Sequence, residues 1–501
     1  MGRRRRGPAV RSTGGEDRRG GLLSAPHIPV LRHGAEYESL DQNELRGIGS
    51  DEVLARISQS NGGMIKRDLR RAEDAAAALR ALSSARLIEI CKDAGELFLN
   101  GELPLNQQGD TQTADDYVAT LSKTSGLPHV LVRKNMRKIW TVLDGMGGIL
   151  RGLMRGMDPA VVETGFGEHC DIPVYYAPTA SALGVVLPSN SPGVNSIWIP
   201  SLALGVPVVL KPGREEPWTP LRIMQALIAA GCPREAFSFY PTDHEGSAVI
   251  LDRCGRVLLF GDEAVTKAWS NDERVQIHGP GRSKVIVGPD VVDDWKTYLP
   301  VLAASVADNG GRSCINASSI FVTSHGREIA DALAEELATR EPRPADDDQA
   351  VLSAFANRKF AEFIDAKIDE DVAAGGAEDL SRARRDGPRQ RDVDGAPYLL
   401  PTVVHCDSVE HPLARTEFLF PFTSVVEVPP DRLVADMGPS LVVTAITRDA
   451  KLIDELKRSD HVDRLNLGPV PTSHVEWDQP HEGNLFEFLY ERRAIQRAAD
   501  W

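Results

Sequence analysis

Leu183-Gly-Val-Val-Leu-Pro-Ser-Asn-Ser-Pro-Gly193 and, further on, Val206-Pro-Val-Val-Leu-Lys-Pro-Gly213 decide the architecture. Each is a short apolar run that stops in a polar loop rich in Pro and Gly. Runs that are apolar throughout, rather than alternating, mark parallel strands covered on both faces. The pattern recurs at Ala236-Phe-Ser-Phe-Tyr240, Val257-Leu-Leu-Phe260 and Val285-Ile-Val287 with helix-length segments between, which predicts a series of βαβ units. Among those segments, Thr219-Pro220 ahead of Leu221, Ile223, Met224 and Leu227 reads as a helix start, with Thr219 as N-cap and Gly231 as stop. A second α/β region begins near Lys284, with apolar strands at Ile320-Phe-Val322, Val403-Val404 and Leu441-Val-Val-Thr-Ala-Ile446. Residues 341–349 and 370–396 are polar and charged and read as surface connections. Upstream, 64–100 and 130–156 carry helix-forming composition.

The chain has 501 residues, room for about three structural units. With 57 Lys and Arg against 72 Asp and Glu, its net charge of −15 argues against electrostatic binding of nucleic acid or an anionic membrane and favours small-molecule partners. The six cysteines are scattered, without a Cys-x-x-Cys pair or a zinc-ligand spacing, so a cytoplasmic protein with no metal is expected. No stretch approaches the roughly 18 uncharged apolar residues of a membrane helix. Residues 1–25 hold seven arginines and repeated glycines and read as a disordered basic tail.

Three segments have the residue types needed for acyl chemistry on a carbonyl. Asn190, in the loop after the first strand, carries a carboxamide able to donate to an oxyanion. Lys211 ends a strand at the carboxyl edge of the sheet, where ligands collect in parallel α/β folds. Asn309-Gly-Gly-Arg-Ser-Cys-Ile-Asn316 holds a thiol, Cys314, after a turn and at a predicted helix start, where the helix and Arg312 are expected to favour the nucleophilic thiolate.

Together these segments resemble the aldehyde dehydrogenase superfamily over roughly residues 60–490. The likeness lies in the order of five motifs. Pro188-Ser-Asn190-Ser-Pro192 is similar to the family's oxyanion segment, Val209-Leu-Lys211-Pro212 to the strand whose lysine binds the adenosine ribose, and Asn309-Gly-Gly311-Arg-Ser-Cys314 to the signature of the nucleophile. Thr416-Glu417-Phe-Leu-Phe-Pro421 looks like the block whose glutamate holds the nicotinamide ribose, and Thr444-Ala-Ile-Thr-Arg-Asp449 like the late strand. The resemblance implies Cys314, Asn190 and His278 as catalytic residues and Lys211, Glu417, Pro188, Arg214 and Gly261 as contacts of NAD or NADP.

Three departures matter. Arg214 stands where the family usually has an acid, which tilts the expectation toward a 2′-phosphate and NADP. Asp262 replaces the serine that faces pyrophosphate, and a carboxylate there repels phosphate unless it turns away or the cofactor sits differently. His278, in Ile277-His278-Gly-Pro-Gly-Arg-Ser-Lys284, stands where hydrolytic members carry their general base, a glutamate. CoA-acylating members lack that glutamate because the CoA thiol resolves the thioester, so acyl transfer to CoA is the first expectation. Hydrolysis with His278 as base is the second. The family's Phe-Gly-Gly ending is also replaced, around Pro480-His-Glu-Gly-Asn484.

The resemblance implies an α/β fold of two Rossmann-like lobes plus a small β bridging arm: 26–160 and 181–279 for the dinucleotide, 280–465 for catalysis, and 161–180 with 466–501 for bridging in a homodimer or homotetramer. The expected activity is NAD(P)-dependent oxidation of an aldehyde, or reduction of an acyl-CoA, through a cysteine thioester. A catalytically inactive assembly subunit and a thiol hydrolase without nicotinamide are the rival readings.

Overall fold

The computed structural model describes residues 25–496 and 498; residues 1–24 of the basic tail lie outside the described residues. Two large sheets organise the chain. In chain order the strands of the first are β1 (Val30–Arg32), β2 (Ala35–Tyr37), β3 (Leu183–Val186), β4 (Val208–Lys211), β5 (Phe237–Phe239), β6 (Arg256–Phe260) and β7 (Val275–His278). Those of the second are β8 (Ser283–Val287), β9 (Ala317–Val322), β10 (Ala377–Asp379), β11 (Thr402–Cys406), β12 (Phe422–Glu427), β13 (Ser440–Ile446) and β14 (Val462–Leu467).

The first sheet runs β7-β6-β3-β4-β5-β1-β2, parallel from β7 to β5 and closed at its edge by the antiparallel pair β1 and β2. The second runs β10-β11-β12-β9-β8-β13-β14, parallel except for the edge strand β10. Every residue of β3, β5, β8, β9 and β13 is buried, as expected of strands covered by helices on both faces. The cover includes the helices Ser84–Asn100, His129–Asp144 and Trp218–Ala229 on the first sheet and Gly326–Ala338 and Arg358–Ala373 on the second. Trp198 and Trp218 are enclosed in the core of the first sheet. Full burial of side chains such as Phe237 and Phe239 contributes about 2–3 kcal/mol each.

β7 ends at His278 and β8 starts at Ser283, so only four residues cross between the sheets there. A smaller three-stranded antiparallel sheet is made by Phe166–His169, Ile172–Pro178 and Tyr490–Arg493, and it leaves Phe166 and Ile172 exposed. Among the described residues no helix is long and apolar enough to cross a membrane.

Two local expectations are corrected. The helix after β4 starts at Trp218, one residue before the expected cap. Its first turn is closed by Glu216, whose carboxylate accepts from the Thr219 N–H at 2.9 Å, so Thr219 is a donor inside the helix. The 370–396 segment is more ordered than a surface connection. It contains the edge strand β10 and the strand Gln390–Val393, which pairs with Ala396–Leu399. Its order comes from Arg389, whose buried guanidinium is met by Asp365, Asp369 and Asp379.

Candidate active site

The Asn-Gly-Gly run is required by the backbone. Asn309, Gly310 and Gly311 are consecutive left-handed residues, with φ of 54°, 66° and 68°. A Cβ on Gly311 would stand 2.3 Å from the backbone of Phe420, and one on Gly310 2.4 Å from the Ser353 hydroxyl. The Asn309 side chain then braces the turn: its N–H groups donate to Ser191 and Ser313 at 3.1 and 3.0 Å, and its carbonyl accepts from Asn135 at 2.7 Å.

Cys314 follows in a turn that leads into β9, not at the start of a helix. Arg312 points away from it and donates to the carbonyls of Ser125 and Ala354. The expected thiolate-stabilising surroundings are therefore absent. Burial pushes the Cys314 thiol well above its ordinary range, and the carboxylates of Glu482 and Glu417 push it further, against hydrogen bonds from the backbone N–H groups of Cys314 and Ile315. In the unliganded protein, carrying Cys170→Ser to remove the exposed thiol, iodoacetamide is expected to label Cys314 slowly at pH 7. The rate is expected to climb steeply only above about pH 9, and to rise at neutral pH in Glu417→Gln. Fast labelling at pH 7 in the parent would show that the thiol is not held protonated.

Cys314 lies between two cavities. The larger, about 340 Å³, is also lined by Asn190, Pro188, Gly261, His278 and Glu417. Six of the eight residues expected at the site thus share one space. Lys211 and Arg214 do not line it. Lys211 ends β4 beside Val186 of β3, and Arg214 is exposed on the following loop. Lys211 makes no ion pair among the described residues, and burial pushes its ammonium down despite nearby Glu215. Gly213 brings this loop against the Pro188 carbonyl, which a Cβ would approach to 2.4 Å.

Each side chain is held by its neighbours. One N–H of the Asn190 carboxamide donates to the Arg312 carbonyl at 2.9 Å, tying the loop after β3 to the turn that carries Cys314. Glu417, half-buried, accepts from the Arg282 backbone N–H at 2.6 Å, and burial pushes its carboxyl up to about 7. Asp262 turns to its own short helix and accepts from the Val265 N–H at 3.0 Å, so that helix start is already filled by a carboxylate. Glu417 offers an acceptor for hydroxyl groups beside Cys314, the chemistry that the ribose of a dinucleotide would need there. A pyrophosphate gains nothing from the helix that Asp262 caps.

His278 ends β7, enclosed and stacked on Phe260 with ring centres 4.4 Å apart. Its Nδ1 is engaged by the Glu482 carboxylate. Glu482 was not among the expected site residues. The altered C-terminal segment was visible in the sequence, but a contact between residues 204 apart was not.

The smaller cavity, about 100 Å³, is walled by Val194, Ile197, Phe260, Ile315, Val475 and Trp477, with Lys138 and His481 among them. Lys138 also escaped the sequence reading. Burial, with Lys134 nearby, pushes its ammonium down, and burial pushes the His481 imidazole down to about 4.

A sequence profile of the aldehyde dehydrogenase family matches residues 48–433. The chain is 29% identical over 268 residues to an aminoacetaldehyde dehydrogenase of Pseudomonas aeruginosa, covering 48% of this chain and 49% of that one. It is 24% identical over 302 residues to a non-phosphorylating aspartate-semialdehyde dehydrogenase of Halomonas elongata, covering 56% and 57%. In such alignments the chain spans about half the length of the relatives it matches. In three dimensions it resembles an NAD-dependent aldehyde dehydrogenase of Sinorhizobium meliloti, with a TM-score of 0.75 and 18% identity over 95% of this chain and 96% of that one. It also resembles an aldehyde dehydrogenase of Pseudomonas aeruginosa, with a TM-score of 0.76 and 16% identity over 93% and 96%. The structural likeness establishes the fold, and the profile match over most of the chain establishes the family.

Proposed function

We propose that this chain, which belongs to the aldehyde dehydrogenase family, oxidises a short aldehyde with NAD or NADP through a thioester on Cys314, and passes the acyl group to water. The observation that supports this reading is the place of Cys314 at the junction of two cavities, one carrying Glu417 and His278 and the other small and largely apolar.

The Cys314 sulfur adds to the aldehyde carbon as the thiol proton passes to solvent water, as the one proton that the overall oxidation releases. Negative charge that develops on the carbonyl oxygen is met by an N–H of Asn190 and the backbone N–H of Cys314. A bound nicotinamide would supply the hydride acceptor that conversion of this adduct to a thioester requires. Glu417 orients the ribose through its carboxylate, and Lys211 serves the adenosine end. The 100 Å³ cavity limits the substrate to a short chain. The three-stranded sheet with its exposed Phe166 and Ile172 supports a homo-oligomer.

Acyl transfer to CoA was the first expectation because the family's glutamate is missing. Glu482 supplies a carboxylate beside His278 from a different part of the chain, and that supports water as the acceptor. The test is a panel of short aldehydes with each nicotinamide, with and without CoA, followed by the absorbance of reduced cofactor. A burst followed by CoA-independent turnover is expected. Turnover only with CoA would replace water by the CoA thiol, and no burst under any condition would overturn the whole reading. On the cofactor, Arg214→Glu is expected to raise the KM for NADP about tenfold and leave that for NAD nearly unchanged, measured by initial rates.

A further inference from the structure

We propose that Glu482 is the positioning residue of the deacylation step: it fixes His278 in the one tautomer that can take a proton from water, an inference that rests on the reading of water as acyl acceptor.

The His278 side chain is 2% exposed and that of Glu482 11%, so neither is bathed by solvent. The ring has three constraints and one open position. Its plane is set by stacking on Phe260, with 16° between the planes. Its backbone is fixed in β7, paired with Phe260 of β6. Its Nδ1 meets the Glu482 carboxylate. Its Nε2 is buried and has no hydrogen-bond partner among the described residues. Glu482 is itself held by the same strand, because the Gln276 side-chain amide donates to its carbonyl. Gly483 permits that contact with φ of 111°, since a Cβ there would stand 2.5 Å from the Gln276 amide nitrogen.

An ionised carboxylate only accepts, so Nδ1 carries the proton and Nε2 keeps its lone pair. A buried lone pair with no partner, on a ring that borders the cavity of Cys314, is a proton acceptor without a proton to accept in the resting structure. The step it serves balances as follows. A water proton moves to Nε2 while the water oxygen bonds to the thioester carbon. The C–S bond then breaks, and the imidazolium returns its proton to the Cys314 sulfur. The carboxylic acid leaves, and Glu482 faces the imidazolium throughout without itself taking the proton.

The test uses the full chain and its two variants Glu482→Gln and His278→Ala, with rapid mixing to separate the burst from the steady state. Glutamine can donate an N–H to Nδ1 and so favours the unproductive tautomer. The expected result for Glu482→Gln is a burst of undiminished amplitude with steady-state turnover lowered about 100-fold or more. Hydroxylamine, which attacks a thioester without a base, is expected to restore turnover to both variants and yield the hydroxamate. A purely structural role would not produce that rescue. Slow deacylation in His278→Ala with normal turnover in Glu482→Gln would overturn the role of Glu482 and leave the water reading standing. Normal CoA-independent turnover in both variants would overturn His278 as the base of that reading. A burst lost in Glu482→Gln and not restored by hydroxylamine would make Glu482 a structural tie and overturn the proposal.

Discussion

Replacing Cys314 with serine is expected to abolish the burst of reduced nicotinamide and to lower steady turnover by about 10⁴-fold or more. The change exchanges one atom in a residue that lines both cavities, so the space around it is nearly kept. The chemistry is not kept. Burial together with Glu482 and Glu417 already holds the thiol protonated, and the same surroundings oppose ionisation of a hydroxyl, which is intrinsically far less acidic. The remaining cysteines cannot substitute. Cys91, Cys254 and Cys406 are buried with thiols pushed up to about 12, Cys232 is likewise buried, and Cys170 is exposed in the turn between Phe166–His169 and Ile172–Pro178. Thermal unfolding of the variant is expected to match the parent within about 1 kcal/mol, which separates loss of the nucleophile from loss of the fold. A retained burst in Cys314→Ser would show that the sulfur does not attack the aldehyde.

The parallel strands were legible because their burial leaves no room for alternation: Leu183, Val208, Val257 and Val285 each open or sit in a run that is apolar on both faces. The order of the five motifs gave the family for the same reason that the glycines of 309–311 are legible. A left-handed backbone against Phe420 and Ser353 admits few residues, so the geometry leaves a mark in the sequence. What was not legible is contact without local periodicity. Nothing in Pro480-His-Glu-Gly-Asn484 says that Glu482 reaches Nδ1 of His278, or in the helix His129–Asp144 that Lys138 faces the small cavity. The surroundings of Cys314 were misread because charge adjacency in sequence was taken for adjacency in space. Arg312 is two residues from Cys314, yet its guanidinium is directed to Ser125 and Ala354, while the carboxylates that act on the thiol are Glu417 and Glu482. Side chains in a turn follow no fixed period, unlike those of a strand or a helix, and only a folded chain reveals which way each one points.

Stability itself is expected to fall as pH rises from about 4.5 to about 8, with Glu216 as a principal cause. This residue is 2% exposed, and burial pushes its carboxyl up to about 8, against hydrogen bonds from the Thr219 N–H and hydroxyl. Its position is forced: it closes the first turn of the helix Trp218–Ala229, and Thr219 is tied in turn to the Tyr117 hydroxyl at 2.6 Å. The fold therefore binds a proton that the unfolded chain has already released. Below about 4.5 both states are protonated and the group is neutral in the balance. Between the two values only the unfolded chain ionises, so each pH unit draws the equilibrium toward it; above about 8 the difference is constant. The full span corresponds to something on the order of 5 kcal/mol. Glu216→Gln keeps an acceptor for the Thr219 N–H and carries no ionisable proton, so it is expected to unfold at higher denaturant than the parent at pH 8 and at nearly the same denaturant at pH 5. The raised carboxyl of Glu417 adds a slope of the same sign to both proteins and so drops out of their difference. Equal pH slopes in denaturant titrations of parent and Glu216→Gln would mean that Glu216 is ionised inside the fold, in which case the charge is held by the helix start and the two Thr219 donors rather than excluded by burial.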